Sequence, residues 1–490
     1  MSLRRDLIRD TMLYGFGDIF TKAIAFLLIP LYTNALLPEE YGIYQLIVLF
    51  VTVMMVLSMS GMNVALFKHF VVTNDQRKRK ELFTITIVWV FFSSVVIIGL
   101  SMILSRPLSN LLTGNPGRGD LVGLAALGSS LDTALLILLL IFRMEKKPIG
   151  YISYSFAKIL LILAGNFILV WHMDMGVAGI LIAGIIADVI ILAPLLYRVS
   201  SYFVWPISKK LLASLLFWGI PFIPASLATV ILTLSDRLLL RFMEGFDSAG
   251  IYSVGYKIGG AVLLLYTAFR FAWGPYMFEL AKDNAIANRI YPKVFNLLFA
   301  FLGFAALGLV TFSTEIFQLF VGELYYSARP VLIPISLAVL FDASSLFFGA
   351  AFQTRDRTIY IPVITGLAAL SNILLNVILI PQYGFIGAAW ATLASYIALA
   401  YMNFRVANPF MPVKYSWGRI FSILAIVSIG MVTVWFVEPV LIRLAIFLVF
   451  SVLILFCLDE KPWSRFKLNK EMSINPDSNN AGGFNTTDNG

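Results

Sequence analysis

Runs of about twenty apolar residues recur along this chain, each long enough to cross a hydrocarbon core of about 30 Å as an α-helix. A soluble domain could not bury so many such runs and still cover itself with polar side chains. The composition agrees. Hydrophobic residues make up 60% of the 490 and charged residues 13%, where an ordinary soluble domain carries roughly 25% charged. The runs do not alternate, as the ten-residue strands of a transmembrane barrel would. The pattern predicts an all-α integral membrane protein that crosses the bilayer many times.

The first apolar run follows MSLRRDLIRD. It is too long for a signal-peptide core and no small-residue cleavage site follows it, so it is expected to be retained as a span. Fourteen spans are expected, at about 12–36, 42–68, 83–105, 120–142, 151–171, 177–197, 211–241, 249–275, 291–313, 328–352, 359–380, 384–404, 417–437 and 439–458. An even number puts both termini on one side. The basic residues choose that side. The N-terminus, the even-numbered loops and the tail hold 25 of the 36 Lys and Arg residues, including Arg77, Lys78, Arg79 and Lys80 in one loop. The opposite loops hold about five, at Arg106, Arg118, Arg241, Arg329 and Arg443. The excess of positive charge on cytoplasmic loops places both termini in the cytoplasm. It also accounts for the net charge of +9, so no nucleic-acid partner is expected.

The single Cys457 excludes a disulfide scaffold and a Cys-based metal site. With only His69 and His172, a His-rich metal site is not expected, and no cofactor is called for. After Asp459 the chain turns polar and low in complexity, as in NPDSNNAGGFNTTDNG, and is expected to be a disordered cytoplasmic tail. The sequon at Asn485 is read there as chance.

Two short motifs repeat at one offset. Gly42-Ile43-Tyr44 and Gly250-Ile251-Tyr252 lie 208 residues apart, and Glu39 and Asp247 keep that spacing. Gly176 and Gly179 before span six match Gly384 and Gly387 before span twelve, again 208 apart. Six spans per copy give the two copies the same orientation, as in transporters built from two parallel lobes. The expected units are residues 1–205, 206–412, and two further spans in 413–458. Two such lobes would enclose a central cleft and expose it to either side by rocking. LPEEYGIY and FDSAGIYS then become equivalent hairpins at the outer surface, where Glu39 and Glu40 stay hydrated.

Three segments carry a resemblance. FTKAIAFLLIPLYTNALLPEEYGIYQL resembles the opening of polysaccharide-biosynthesis flippases, LSDRLLLRFMEGFDSAGIYSVGYKI their seventh and eighth spans, and PQYGFIGAAWATLASY the approach to their twelfth. These proteins belong to the multidrug, oligosaccharidyl-lipid and polysaccharide exporter superfamily. The resemblance implies a fold of twelve or fourteen helices. It implies translocation of a polyprenyl-diphosphate-linked oligosaccharide from the cytoplasmic to the outer face of a bacterial inner membrane, for O-antigen, capsule or exopolysaccharide synthesis. It also implies a cationic cavity lined by spans one, two, seven and eight, with membrane lipids, a polysaccharide polymerase and a chain-length regulator as candidate partners.

Ionisable residues inside spans cost at least about 2.5–3.5 kcal/mol unless paired or wet, so they mark the candidate site. Lys22 lies near the middle of span one, four residues after Asp18, a spacing that also suits an intrahelical ion pair. Arg237 and Lys257 are expected at similar depth in spans seven and eight, with Arg241 nearer the outer surface. Lys22, Arg237 and Lys257 form the expected diphosphate-binding set. Arg270 joins it near the inner end of span eight, where Trp273 offers a ring to stack on and Glu279 lies beyond. Asp18, Asp132 and Asp342 are candidates for ion coupling; Lys158 and Asp188 are expected to pair structurally between neighbouring helices. Tyr44 and Tyr252 are candidates for stacking on sugar at the outer mouth. Pro221 and Pro224 are expected to break or bend span seven.

No phosphate-binding glycine loop, no Ser-His-Asp set and no long loop is present, which argues against a pump driven by ATP, a glycosyltransferase or a polymerase. The chain is not expected to be an enzyme. A lipid-linked peptidoglycan precursor flippase fits nearly as well. A multidrug/ion antiporter of the same superfamily would favour an acidic cavity over this basic one.

Overall fold

The protein is described here by a computed structural model covering residue 24 and residues 26–458. Lys22, Asp18 and the polar tail lie outside the described residues. The described chain is helical: α1 (Leu28–Ala35), α2 (Pro38–Met59), α3 (Met62–Val72), α4 (Gln76–Ile103), α5 (Gly119–Met144), α6 (Pro148–Asn166), α7 (Gly176–Val199), α8 (Lys209–Gly219), α9 (Phe222–Met243), α10 (Phe246–Gly259), α11 (Val262–Leu280), α12 (Asn284–Thr311), α13 (Leu332–Phe348), α14 (Tyr360–Ala407), α15 (Trp417–Trp435) and α16 (Val440–Phe456), with short helical turns between some of them.

Among the described residues ten helices are long and apolar enough to span a membrane, or eleven if the pair Phe246–Gly259 and Val262–Gly274, bent by 48°, counts as one span. Helices satisfy their own backbone hydrogen bonds, which is what a bilayer core demands. The fourteen spans expected from sequence are not reached by this criterion alone. The first lies mostly outside the described residues, and α16 has only 17 residues. The eleventh and twelfth run on as α14, whose 48 residues include Gly384 in a non-helical conformation, φ 61°.

The helix starts on the basic face are fixed by side-chain caps. Asp75 accepts from the Arg77 and Lys78 amides, Asp283 from Ala285 and Ile286, and Ser208 from Leu211. Span seven breaks where proline was expected to break it: α8 ends at Gly219, and α9 begins at Phe222 after Pro221. Arg443 is buried, although sequence placed it in a loop. It donates to the Thr311 carbonyl at 2.7 Å and pairs with Glu315, tying α16 to the end of α12. Arg443→Ala would strand that carbonyl and open a hole. A loss of about 1–3 kcal/mol is expected, read as a lower melting temperature in detergent.

LPEEYGIY is not a loop between spans. Pro38 starts α2, and Glu40 turns back to accept from the Leu37 amide at 3.1 Å. Glu39 is exposed, as expected, but Glu40 is a half-buried cap. FDSAGIYS likewise opens α10.

The two repeated motifs meet. A Cβ placed on Gly42 would stand 2.0 Å from the Phe246 carbonyl oxygen, and one on Gly250 would stand 2.0 Å from that of Pro38. Pro38 and Phe246 are themselves 208 residues apart. The crossing of α2 and α10 is thus the same contact made twice, once from each copy. The second motif pair also shares a backbone role. Gly176 and Gly384 both have positive φ, 54° and 61°, which a side chain would make costly.

Candidate functional site

A cavity of about 330 Å³ lies where α10 bends into α11. Phe26 and α1 residues Leu28, Ile29 and Tyr32 form one wall, Tyr44 of α2 another, and Lys257, Gly260, Ala261, Leu263, Leu264 and Thr267 the third. The cavity therefore draws on both sequence repeats. Its surface is mostly apolar, with hydroxyls from Tyr32, Tyr44 and Thr267 and one described cation.

That cation is Lys257. Its ammonium donates to the Tyr41 hydroxyl at 2.8 Å, and it sits 5.2 Å and 5.7 Å from the ring centroids of Tyr41 and Tyr44. Among the described residues no carboxylate lies within ion-pair distance of it. A lysine ammonium has three protons to give, and the tyrosine takes one. The tyrosines hold one another in place. Tyr32 and Tyr44 rings lie 5.5 Å apart, and Tyr41 and Tyr44 rings 5.9 Å apart. The Tyr32 hydroxyl donates to buried Asn166 at 3.0 Å. The sequence reading missed Tyr41, Tyr32 and Asn166. Tyr41 had one available signal: its place one residue before the repeated Gly-Ile-Tyr.

Arg237 does not line this cavity. Its guanidinium is 3% exposed and donates to Asp236 at 3.2 Å and to the Thr233 carbonyl at 2.5 Å. The rings of Tyr252 and Tyr256 lie against it, at 5.1 Å and 4.2 Å. Asp236 also accepts from Tyr252 and, at 3.2 Å, from Thr392. A buried guanidinium needs a counter-charge, and Asp236 next to it supplies one. Tyr252 is fully buried in this cluster, so in this conformation it offers no ring to a sugar, whereas Tyr44 faces the cavity.

Arg270 is exposed and lies 6.0 Å from the Tyr266 ring. Trp273, its expected stacking partner, is instead buried against Phe269 and Phe347, at 5.9 Å and 5.3 Å. Residues three apart are neighbours on a helix, but Arg270 turns to Tyr266 one turn earlier while the Trp273 ring is taken up by the core. Asp342 is half-buried and close enough to Arg270 for their charges to attract. Arg241 reaches the Asn110 carbonyl at 3.2 Å and lies against Phe242 and Phe246. Lys158 pairs with Asp188 at 2.6 Å, as expected, and also with Asp132. The structure therefore separates the expected cations: Lys257 at the cavity, Arg237 in a sealed polar cluster, and Arg270 further along α11.

Comparison with known proteins adds the following. A family model described as "Polysaccharide biosynthesis protein" matches residues 7–281, more than half of the chain. Two Haloferax volcanii proteins are similar over part of their length. "Probable low-salt glycan biosynthesis flippase Agl15" is 24% identical over 178 residues, covering 35% of this chain and 37% of the relative. "Probable flippase AglR" is 29% identical over 167 residues, covering 33% and 34%. The match spans only about a third of each curated relative. Among solved structures, "Lipid II flippase MurJ, inward closed conformation" aligns with TM-score 0.71 at 16% identity, covering 90% of this chain and 97% of that one. An inward-facing multidrug resistance MATE family transporter of the MOP superfamily aligns with TM-score 0.65 at 13% identity, covering 85% and 96%. At such identities the likeness shows the fold.

Proposed function

The chain belongs to the polysaccharide biosynthesis protein family, and from that premise we propose that it flips a polyprenyl-diphosphate-linked oligosaccharide across the membrane by alternating access. One observation carries the reading. Lys257 lies in a cavity at the junction of the two repeats, with no described carboxylate to neutralise it. A diphosphate is the natural counter-charge for such an ammonium, and the ring faces of Tyr32 and Tyr44 suit the apolar faces of sugars. The name of one Haloferax volcanii relative, a probable glycan biosynthesis flippase, supports a glycan cargo, and the name of the other supports flipping.

In this reading residues 1–205 and 206–412 are the two lobes, 413–458 adds two helices, and the basic face is cytoplasmic. Substrate enters from that face and leaves at the face of the α2–α10 crossing. In a bacterium the membrane is the inner one, and the product serves O-antigen, capsule or exopolysaccharide assembly beside a polymerase and a chain-length regulator. Lys22 joins Lys257 on the diphosphate, and Arg270 guides it along α11. Arg237, neutralised by Asp236, supports the wall behind Tyr252 and Tyr256 rather than meeting the diphosphate in this conformation. Asp18 and Asp342 are further candidates for ion coupling.

The test is reconstitution in liposomes with a labelled polyprenyl-diphosphate sugar on one face. Protein-dependent appearance of the label at the other face is expected. Preference for a lipid-linked peptidoglycan precursor would favour that flippase instead, and movement of cationic drugs but not glycolipid would favour the antiporter.

A further inference from the structure

Lys158 on α6 stands between two carboxylates, in contact with Asp132 of α5 and 2.6 Å from Asp188 of α7. Two acids share one base, so the group carries one net negative charge when all three are ionised. The Asp188 side chain is 3% exposed, Lys158 19% and Asp132 35%. A net charge held among membrane helices is unfavourable, and one proton removes it.

We propose that Asp132, Lys158 and Asp188 form the proton-binding site that couples this transporter to a pH gradient. The inference rests on the transport reading above and adds the coupling ion to it. One proton passes from water to a carboxylate oxygen, an O–H bond forms, and the site goes from one negative charge to none. Asp132 is the more exposed acid and is the entry point. Once either acid is protonated, Lys158 keeps one ionised partner, so one of its two ionic ties to the neighbouring helices is released.

Geometry also favours a proton over a metal cation. The ammonium already occupies the point where both carboxylates converge, and a sodium ion would have to displace it. Among the described residues no group of three metal-ligating side chains exists. The site is linked to the substrate cavity because α5, which carries Asp132, packs against α2, whose Tyr44 lines that cavity. The described charges acting on Lys158 are those of Asp132 and Asp188, and those acting on Asp188 are those of Asp132 and Lys158. Tyr154, one turn before Lys158, packs on Phe142 instead. The second repeat has no counterpart: Leu340, Gly366 and Tyr396 stand at the positions 208 residues on. This three-residue site therefore belongs to the first repeat alone.

Two measurements test this on the full chain. The first follows the infrared carboxylic-acid stretch of the purified protein in nanodiscs as pH is stepped, and needs no glycolipid. A titrating band is expected that is lost in D132N/D188N and is unchanged when sodium replaces potassium. A band that persists in that variant, or that sodium suppresses, overturns the site. The second compares liposome translocation with and without a pH gradient. Wild type is expected to run faster with the gradient. In the neutral variant D132N/K158M/D188N, the ratio of the two rates is expected to fall to one. A ratio kept at the wild-type value overturns the coupling. If wild type moves no glycolipid while the infrared band behaves as expected, the flippase reading fails and the proton site stands.

Discussion

Lys257→Ala is expected to lower translocation of a polyprenyl-diphosphate sugar by about ten- to a hundredfold. A hydrogen bond to a charged group contributes about 1.5–3 kcal/mol, and each 1.4 kcal/mol is about tenfold. The alanine removes the only described cation of the cavity and also the partner of Tyr41. The loss should appear at subsaturating substrate, with Lys257→Arg recovering part of it because the charge returns. Tyr41→Phe keeps the ring and removes one hydrogen bond, so a smaller loss is expected. Wild-type rates in Lys257→Ala, measured by the same liposome assay at the same protein density, would remove Lys257 from the substrate path.

Gly42→Ala is expected to part the crossing of α2 and α10. The new methyl would lie 2.0 Å from a backbone carbonyl oxygen, far inside the van der Waals optimum of about 3.5 Å. A side chain in the way can rotate aside; backbone cannot, so the helices must separate. Overpacking of this kind costs about 1–3 kcal/mol. Gly250→Ala meets the matching carbonyl at the same distance, and the two variants should have equal effects. The double variant should cost less than their sum, because one separation relieves both clashes. Glu39 and Asp247 flank the crossing and are exposed, so spin labels there report its opening. A longer label-to-label distance in either variant is the expected result, together with slower translocation. An unchanged distance would mean that the crossing does not move as a unit.

The sequence reading reached the membrane class through run length, because no other arrangement of such runs satisfies both water and backbone. It reached the repeat through glycines. Gly42 and Gly250 are where two backbones touch, and Gly176 and Gly384 are where the chain needs positive φ, so no other residue fits these places and the match survives. Proline marked the break before α9 for a comparably local reason. The second span was expected from about residue 42, but the helix starts at Pro38, because Glu40 folds back to cap it.

The candidate site was legible only as a set of unusual residues. Each charge inside a span advertised itself by its cost in hydrocarbon, which is a property of the residue alone. Which charges neutralise each other depends on how helices far apart in sequence are set side by side. Arg237 has its counter-charge next to it in the chain, at Asp236, but tertiary structure closed Tyr252, Tyr256 and Thr392 around that pair, and gave Asp132 and Asp188 to Lys158. It left Lys257 beside Tyr41, a residue 216 positions away. The sequence by itself determined that this chain lies in a membrane, repeats itself and carries costly charges there. The three-dimensional packing decided which of those charges remains to meet a ligand, because a partner within a few ångströms cancels a charge and one along the chain need not.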